Sequence, residues 1–248
     1  MTNTTLSNSF FLNDKLKENI FNSISSNSIN SFIISGPKGL VKTNFIINLS
    51  KFILCELENE DSLNLSKLKQ SKNTFDNIIK NKSFYLFENG SHPDFFHLKN
   101  KIENLGKKIP IEDVRKLKSF FHKTVSVSKT KIAVIDKIED LSINSLNSLL
   151  KTIEELPKKS YIFIISNKPL NIIETIKSRC ALFYIKSLNE IDFNYFIKTN
   201  YSTVSFEENI FLSSISNGSP GLAKELMDNK IYSVYDNFLD DIIDYDSS

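Results

Sequence analysis

A glycine-rich loop that runs into a lysine and a threonine has the clearest chemical meaning in this sequence. Residues 36–43 read GPKGLVKT, and they lie between an apolar run at 32–34 and a stretch with helical spacing. A strand, a Gly-rich loop, Lys-Thr and a helix form the context of a phosphate-binding loop, whose backbone N–H groups face an anion. The lysine then contacts the outer phosphates and the hydroxyl contacts Mg²⁺. The nucleotide-binding residues predicted from this loop are Gly36, Gly39, Lys42 and Thr43.

One position of this loop departs from the usual pattern. Val41 stands where a glycine normally precedes the lysine. A β-branched side chain resists positive φ and crowds an approaching phosphate. These residues alone leave three interpretations open: weak nucleotide binding, no nucleotide binding, and a Gly-rich turn that only connects a strand to a helix.

Two polar residues at the ends of apolar runs extend the predicted nucleotide site. Asp136 follows the run 132–135, where such folds hold Mg²⁺ through a water, and Asn167 follows the run 161–165, where a polar group can contact the outer phosphate. An active ATPase usually has glutamate after the aspartate, but Lys137 stands there and cannot accept a proton at neutral pH. The alternatives are a strand-end cap for Asp136 and ordinary turn chemistry for Asn167.

An arginine late in the sequence suggests a second kind of chemistry. Arg179 lies between a short helical stretch and the last apolar run. A guanidinium group is suited to stabilising charge on a phosphoryl group in transfer. Arg179 lies too far along the fold to reach this chain's own loop easily, but it could act in trans on the nucleotide of a neighbouring subunit. The residues alone favour the simpler alternative, a surface ion pair with a carboxylate.

The elements that must position these residues alternate along the chain. Clear buried strands are predicted at 32–34, 132–135 and 161–165, and weaker ones at 95–98 and 181–185. Apolar residues at helical spacing fill the intervals, which predicts an α/β fold with a parallel sheet. The predicted organisation is a core at 1–186 with a polar insertion at about 56–91, a small helical domain at 187–230, and an acidic tail at 231–248.

Composition and charge exclude several classes of protein. The 248 residues are 40% hydrophobic, which excludes whole-chain disorder, and a net charge of +2 excludes a protein that coats DNA by charge alone. The two cysteines, Cys55 and Cys180, lie far apart, which excludes a disulfide scaffold and a four-cysteine zinc site. Neither a signal peptide nor a membrane-spanning apolar run is recognisable, so a soluble cytoplasmic protein is expected.

Four spaced motifs resemble those of the AAA+ clamp-loader subunits of bacterial DNA polymerase III. Residues 131–156 resemble the family segment that begins with the strand before the metal-binding aspartate. Ser178-Arg179-Cys180 matches the family's SRC motif, His92-Pro93-Asp94 resembles its HPD motif, and residues 217–221 resemble its sensor-2 region. The similarity covers about residues 10–228. The matching positions within the first segment are Asn147, Leu149, Leu150, Lys151, Glu154 and Glu155.

The resemblance implies a fold, a role and a set of partners. The fold would be a three-layer P-loop AAA+ core with a parallel five-stranded sheet, followed by a small helical lid and lacking the family's C-terminal collar. The role would be in DNA replication, where clamp loaders place the sliding clamp on primed DNA. The partners would be the gamma/tau and delta subunits, the clamp and the DNA. No zinc and no membrane are expected.

Three departures from the family's motor subunits indicate a stator-like, non-motor subunit. The motors have glycine, glutamate and a sensor-2 arginine at the positions of Val41, Lys137 and Gly221. The resemblance implies that Arg179 is given in trans to a neighbour's ATP site, while this chain's own nucleotide site is degenerate and has no independent enzymatic activity, although weak binding of ATP and Mg²⁺ stays open. The alternatives are an active AAA+ motor and a regulatory or nonfunctional fragment.

Overall fold

The computed structural model describes residues 14–26, 29–59, 81–100, 107–168, 174–201 and 203–246. The chain divides into two compact units. Unit 1 comprises Met1–Ser35 and Lys42–Tyr184, and unit 2 comprises Gly36–Val41 and Ile185–Ser248. The glycine-rich loop up to Val41 therefore groups with the second unit, and the helix that begins at Lys42 groups with the first.

Five parallel strands form the centre of unit 1. They are β1 (Ser31–Ser35), β2 (Phe95–Leu98), β3 (Lys131–Ile135), β4 (Ser160–Ser166) and β5 (Ala181–Tyr184), and their order across the sheet is β2-β3-β4-β1-β5. In this register Ile33 lies opposite Ile164 on one side and Leu182 on the other. Every residue of β1, β3 and β4 is buried, as expected where helices cover both faces of a parallel sheet. The predicted five-stranded parallel α/β fold is confirmed.

Helices cover the two faces of this sheet. The described helices of unit 1 are α1 (Asp14–Ser25), α2 (Lys42–Asn59), α3 (Lys82–Glu88), α4 (Ile111–His122), α5 (Ile143–Glu154) and α6 (Glu174–Lys177), with a 3₁₀ turn at Ile138–Asp140. Helices α4, α5 and α6 share one buried cluster with Ile33, Ile135 and Ile164 of the sheet. Alternate strand residues such as Phe163 face the opposite side, where α2 contacts β3 and β4.

The polar range 56–91, predicted as an insertion, contains helical structure at both ends. Helix α2 continues to Asn59, helix α3 follows at Lys82–Glu88, and residues 60–80 lie outside the described part of the chain. The ring of Phe87 in α3 packs on Phe95 of β2 with centroids 4.5 Å apart. Aromatic packing therefore fixes α3 against the edge of the sheet.

A buried carboxylate holds the loop that leads into β3. Asp94 is fully buried, and its two oxygens accept hydrogen bonds of 2.7–3.2 Å from the backbone N–H groups of Ser126, Val127 and Ser128. The backbone N–H of Asp94 itself donates to Nδ1 of His92 at 3.1 Å. The His-Pro-Asp motif thus has a structural role in this chain, since its aspartate accepts from three backbone donors of the loop, of which Ser128 is buried.

Unit 2 is a small helical unit. Its helices are α7 (Glu190–Asn200), α8 (Phe206–Ser216), α9 (Pro220–Asp228) and α10 (Ile231–Asp246), and the last of them occupies the range predicted as an acidic tail. The side chains of Asn189, Ser205 and Ser219 cap the first three helices by accepting a backbone N–H three residues on. The core of the unit lies around Phe193, Ile197, Phe211, Leu212 and Ala223.

None of the described helices combines the length and the apolar character needed to cross a membrane.

Candidate functional site

Two of the predicted site residues in unit 1 bind each other directly. Thr43 is the second residue of α2, and its Oγ1 donates a 2.9 Å hydrogen bond to Oδ1 of Asp136, which follows β3. The motif logic places these two side chains at a Mg²⁺ site, the hydroxyl as a ligand and the carboxylate behind a water. The structure places the two side chains in direct contact, so that the hydroxyl donates to the carboxylate.

Lys42 is buried at the start of α2. Its exposed fraction is only 3%, and burial lowers the pKa of its ammonium group from 10.5 to about 8, while the charges of Glu139 and Asp136 act in the opposite direction. A buried cation requires nearby negative charge to stay ionised. The positive charge of Lys42 is therefore stabilised by the carboxylates of Glu139 and Asp136 in the same chain.

The carboxylate of Glu139 is held at the carboxyl end of β4. Its Oε1 accepts hydrogen bonds from the Oγ of Ser166 at 2.5 Å and from the backbone N–H groups of Asn167 and Lys168, both at 2.8 Å. Asn167, predicted as a phosphate sensor, thus directs its backbone N–H at a carboxylate of the same chain. Pro169, which completes that motif, lies outside the described residues.

Arg179 lies on the surface of unit 1 with part of its guanidinium group fixed. Its Nε donates to Oε1 of Glu154 at 2.7 Å, and its Nη1 donates to the carbonyl of Thr175 at 2.9 Å and to Oγ of Ser178 at 3.2 Å. The side chain is 41% exposed. In the part of the chain that the structure describes, no group accepts a hydrogen bond from Nη2. The ion pair with Glu154 is what the simpler alternative predicted.

The strand that follows Arg179 exposes apolar side chains. β5 is an edge strand of the sheet, and Leu182 and Tyr184 on one of its faces are 50% and 52% exposed. Arg179 is thus followed along the chain by two half-exposed apolar side chains on one face of the edge strand.

The glycine-rich loop in unit 2 packs closely on the start of α9. The backbone N–H of Gly221 donates to the carbonyl of Gly39 at 2.7 Å, and the Oγ of Ser219 donates to the carbonyl of Lys38 at 3.4 Å. A Cβ built on Gly221 would lie 2.5 Å from the carbonyl oxygen of Gly39. No side chain fits at position 221, so an arginine cannot occupy the position where the family's motors have one.

Val41 adopts the backbone conformation that its side chain disfavours. Its φ is +54°, in the left-handed region where the usual glycine is at no disadvantage. A non-glycine residue in this region costs about 1–2 kcal/mol of backbone strain. Lys137 has φ +68°, so the position that follows Asp136 is strained as well.

Replacing Gly221 with alanine is expected to lower the free energy of unfolding by about 1–3 kcal/mol, because the added Cβ collides with the backbone of Gly39. The usual effect of this substitution in a helix is a gain of roughly 0.5–1 kcal/mol. The sign of the change in the free energy of unfolding, measured by urea denaturation, shows whether the collision or the usual helix effect dominates. A stabilised Gly221→Ala variant would contradict the close contact.

The stability of the chain is expected to rise with pH between about 8 and 10.5 through Lys42. The pKa of its ammonium group is about 8 in the folded chain and 10.5 in the unfolded chain, so the unfolded state binds more protons in this window. Below pH 8 the cost of burying the charge is fully present. In urea titrations, the gain from pH 8 to 9.5 should be about 2 kcal/mol larger for the wild type than for Lys42→Met. Parallel pH dependences of the two proteins would show that burial does not shift this group.

Sequence reasoning missed three residues of this region. Glu139 was given no role, although an acidic residue in the turn after Asp136 lies near the carboxyl end of the next strand. Ser219 was recognised only within the sensor-2 resemblance, yet serine before proline is a helix-start signal that could have identified it as a cap. Glu154 was recognised only as a family position, and its pairing with Arg179 depends on the fold.

Comparison with known proteins supports the resemblance to the clamp-loader subunits of DNA polymerase III. A family model described as DNA polymerase III, delta subunit, matches residues 12–189. The DNA polymerase III subunit delta' of Pseudomonas aeruginosa is 34% identical over 100 residues, which are 40% of this chain and 30% of that protein. The DNA polymerase III subunit gamma of Buchnera aphidicola subsp. Schizaphis graminum is 27% identical over 206 residues, 82% of this chain and 52% of that protein. The chain thus spans about half, or less, of the length of these relatives.

Solved structures with the same fold include a mutant of RuvB from Thermotoga maritima and PCH-2 from C. elegans. The first has a TM-score of 0.52 and 11% identity over 91% of this chain and 65% of that chain. The second has a TM-score of 0.52 and 12% identity over 92% of this chain and 65% of that chain. At these identities the likeness shows the AAA+ fold alone. Since the family model covers more than half of the chain, the chain belongs to the DNA polymerase III delta subunit family of AAA+ clamp-loader proteins.

Proposed function

We propose that this chain is a non-motor subunit of the DNA polymerase III clamp loader, which helps to load the sliding clamp onto primed DNA during replication. In this role it acts in the cytoplasm and contacts gamma/tau and delta subunits, and through them the clamp and the DNA. Arg179 acts in trans on the ATP site of the adjacent motor subunit, and the chain turns over no ATP of its own.

The presentation of Arg179 carries this proposal. A guanidinium group fixed on two of its nitrogens, half-exposed, and available through Nη2 is arranged to meet an anion brought by another molecule. The exposed apolar face of β5 begins just beyond it and offers that molecule a surface to bury. An arginine supplied from outside stabilises the transition-state charge of phosphoryl transfer in related NTPases.

The chain's own groups do not fit a hydrolysed nucleoside triphosphate. Lys137, at the position of the usual glutamate, is exposed and cannot orient an attacking water. Gly221 leaves no room for a sensor-2 arginine, and Lys42 is already balanced by carboxylates. These three observations support a subunit that contributes to a neighbour's reaction without one of its own.

The test is single-turnover hydrolysis of ATP by the purified chain with Mg²⁺, in the presence and absence of primed DNA. We expect no turnover in either condition. Turnover that disappears in Lys42→Ala would mean that Val41 and Lys137 are tolerated, and the chain would then be an active AAA+ motor.

A further inference from the structure

We infer that Glu139 is a built-in anion that takes, in unit 1, the hydrogen bonds and the positive charge that a bound terminal phosphate would otherwise take. The inference deepens the proposed function and rests on it for its biological meaning, because it explains how a non-motor subunit keeps its phosphate-site residues ordered without nucleotide.

The hydrogen bonds of Glu139 resemble those of a bound oxyanion. Two successive backbone N–H groups, from Asn167 and Lys168, converge on its Oε1 together with the hydroxyl of Ser166. Successive N–H groups aimed at one point form an anion-binding concavity. In this chain the concavity lies at the carboxyl end of β4, where α/β folds place their ligands, and a carboxylate of the same chain fills it.

The second oxygen of Glu139 points to the role of its charge. Oε2 is buried and has no hydrogen-bond partner among the described residues. A buried carboxylate oxygen without a hydrogen bond is costly unless a cation is close. Lys42 is that cation: it is 3% exposed, and Glu139 is the largest of the charges that raise its pKa against the effect of burial.

A phosphate that approached Lys42 would meet this fixed negative charge. Glu139 cannot turn away without breaking three hydrogen bonds at once, two of them to the backbone. Like charges held within about 4–6 Å of each other oppose ionisation and binding strongly in a buried site. Glu139 therefore satisfies the phosphate-site lysine and at the same time lowers the affinity of the site for phosphate.

The experiment measures binding of pyrophosphate to the purified full chain by titration calorimetry. Glu139→Gln keeps the length and the acceptor oxygen of the side chain and removes its charge, so we expect it to bind pyrophosphate at least about tenfold more tightly than the wild type. Asp140→Asn, which removes a charge from the next residue, is the matched control and should bind as the wild type does. Adding Lys42→Met to Glu139→Gln should abolish the gain.

Three results would overturn the inference: an unchanged affinity in Glu139→Gln, an equal gain in Asp140→Asn, or tight pyrophosphate binding by the wild type. If Glu139→Gln alone does not fold, the double variant with Lys42→Met should regain the fold, because it no longer buries an unbalanced cation. A double variant as unfolded as the single one would also overturn it. These measurements use the isolated chain, so they are separate from the loader assays that test Arg179.

Discussion

Replacing Arg179 with alanine is expected to slow ATP hydrolysis by an assembled clamp loader at least about 10³-fold at the one site that this subunit borders. The reason is the loss of a positive charge that meets the phosphoryl group only as negative charge develops on it. The measurement is a single-turnover assay on loaders assembled with the wild-type or the variant chain. In loaders with the variant, the fast phase of the site that Arg179 serves should be missing.

Stability and charge controls separate this effect from damage to the fold. The ion pair of Arg179 with Glu154 is exposed on both sides, so its loss should change the free energy of unfolding by less than about 1 kcal/mol. Lys177→Ala removes a neighbouring cation that pairs with Glu174, and loaders containing it should keep the fast phase. Arg179→Lys should recover only part of the rate, because an ammonium group lacks the planar fork. An Arg179→Ala loader as fast as the wild type would exclude action in trans.

Replacing Asp94 with alanine is expected to lower the free energy of unfolding by about 3 kcal/mol or more. The substitution removes the charged acceptor of three backbone N–H groups, those of Ser126, Val127 and Ser128, and a hydrogen bond to a charged group contributes about 1.5–3 kcal/mol. Lys131 is affected too: burial lowers the pKa of its ammonium group, and the charge of Asp94 opposes that shift. Urea denaturation of the purified chain measures the loss.

The order of two Asp94 variants tests the geometry. Asp94→Asn keeps one acceptor oxygen but turns an NH₂ group toward an N–H donor, so its stability should fall between those of Asp94→Ala and the wild type. Asp113→Asn, in an exposed ion pair with Lys116, should cost no more than about 0.5 kcal/mol. A loss below 1 kcal/mol in Asp94→Ala would show that the loop does not depend on this carboxylate.

The core of the fold was predictable because burial leaves a strong pattern in the sequence. The runs 132–135 and 161–165 are apolar on every residue, which is the pattern of strands covered on both faces, and both are strands in the structure. Even the weak runs 95–98 and 181–185 contain β2 and β5. Edge strands are half-exposed, so their apolar pattern is diluted, and these two runs were predicted only as weaker strands.

Segments held by aromatic contacts were harder to predict. Lysine, asparagine and serine dominate the range 56–91, and the short helix Lys82–Glu88 within it is fixed by Phe87 against Phe95. Helix α10, in the range predicted only as an acidic tail, is attached through ring contacts of Tyr232 and Tyr235 with Phe211. Contacts between residues far apart in the sequence determine whether such segments form helices, and the local spacing of apolar residues does not reveal these contacts.

In the candidate site, too, some features could be predicted from the sequence and others could not. The motif assigned Thr43 and Asp136 to the same nucleotide site, and the structure adds a direct hydrogen bond between them that was not predicted. The bonds of Glu139 to Ser166 and Asn167 were not predicted, because they join two loops whose proximity follows only from the strand order β3-β4. Similarly, the contact of Gly221 with Gly39 joins residues far apart in the sequence.

The central claim is that this chain supplies an arginine to a neighbour and does not use its own phosphate loop. The most direct measurement replaces Lys42 with methionine in this subunit alone and records ATP hydrolysis by the assembled loader beside the Arg179→Ala loader. We expect wild-type hydrolysis for the Lys42→Met loader and a lost fast phase for the Arg179→Ala loader. Loss of hydrolysis in Lys42→Met with wild-type behaviour in Arg179→Ala would contradict it and identify the chain as a motor.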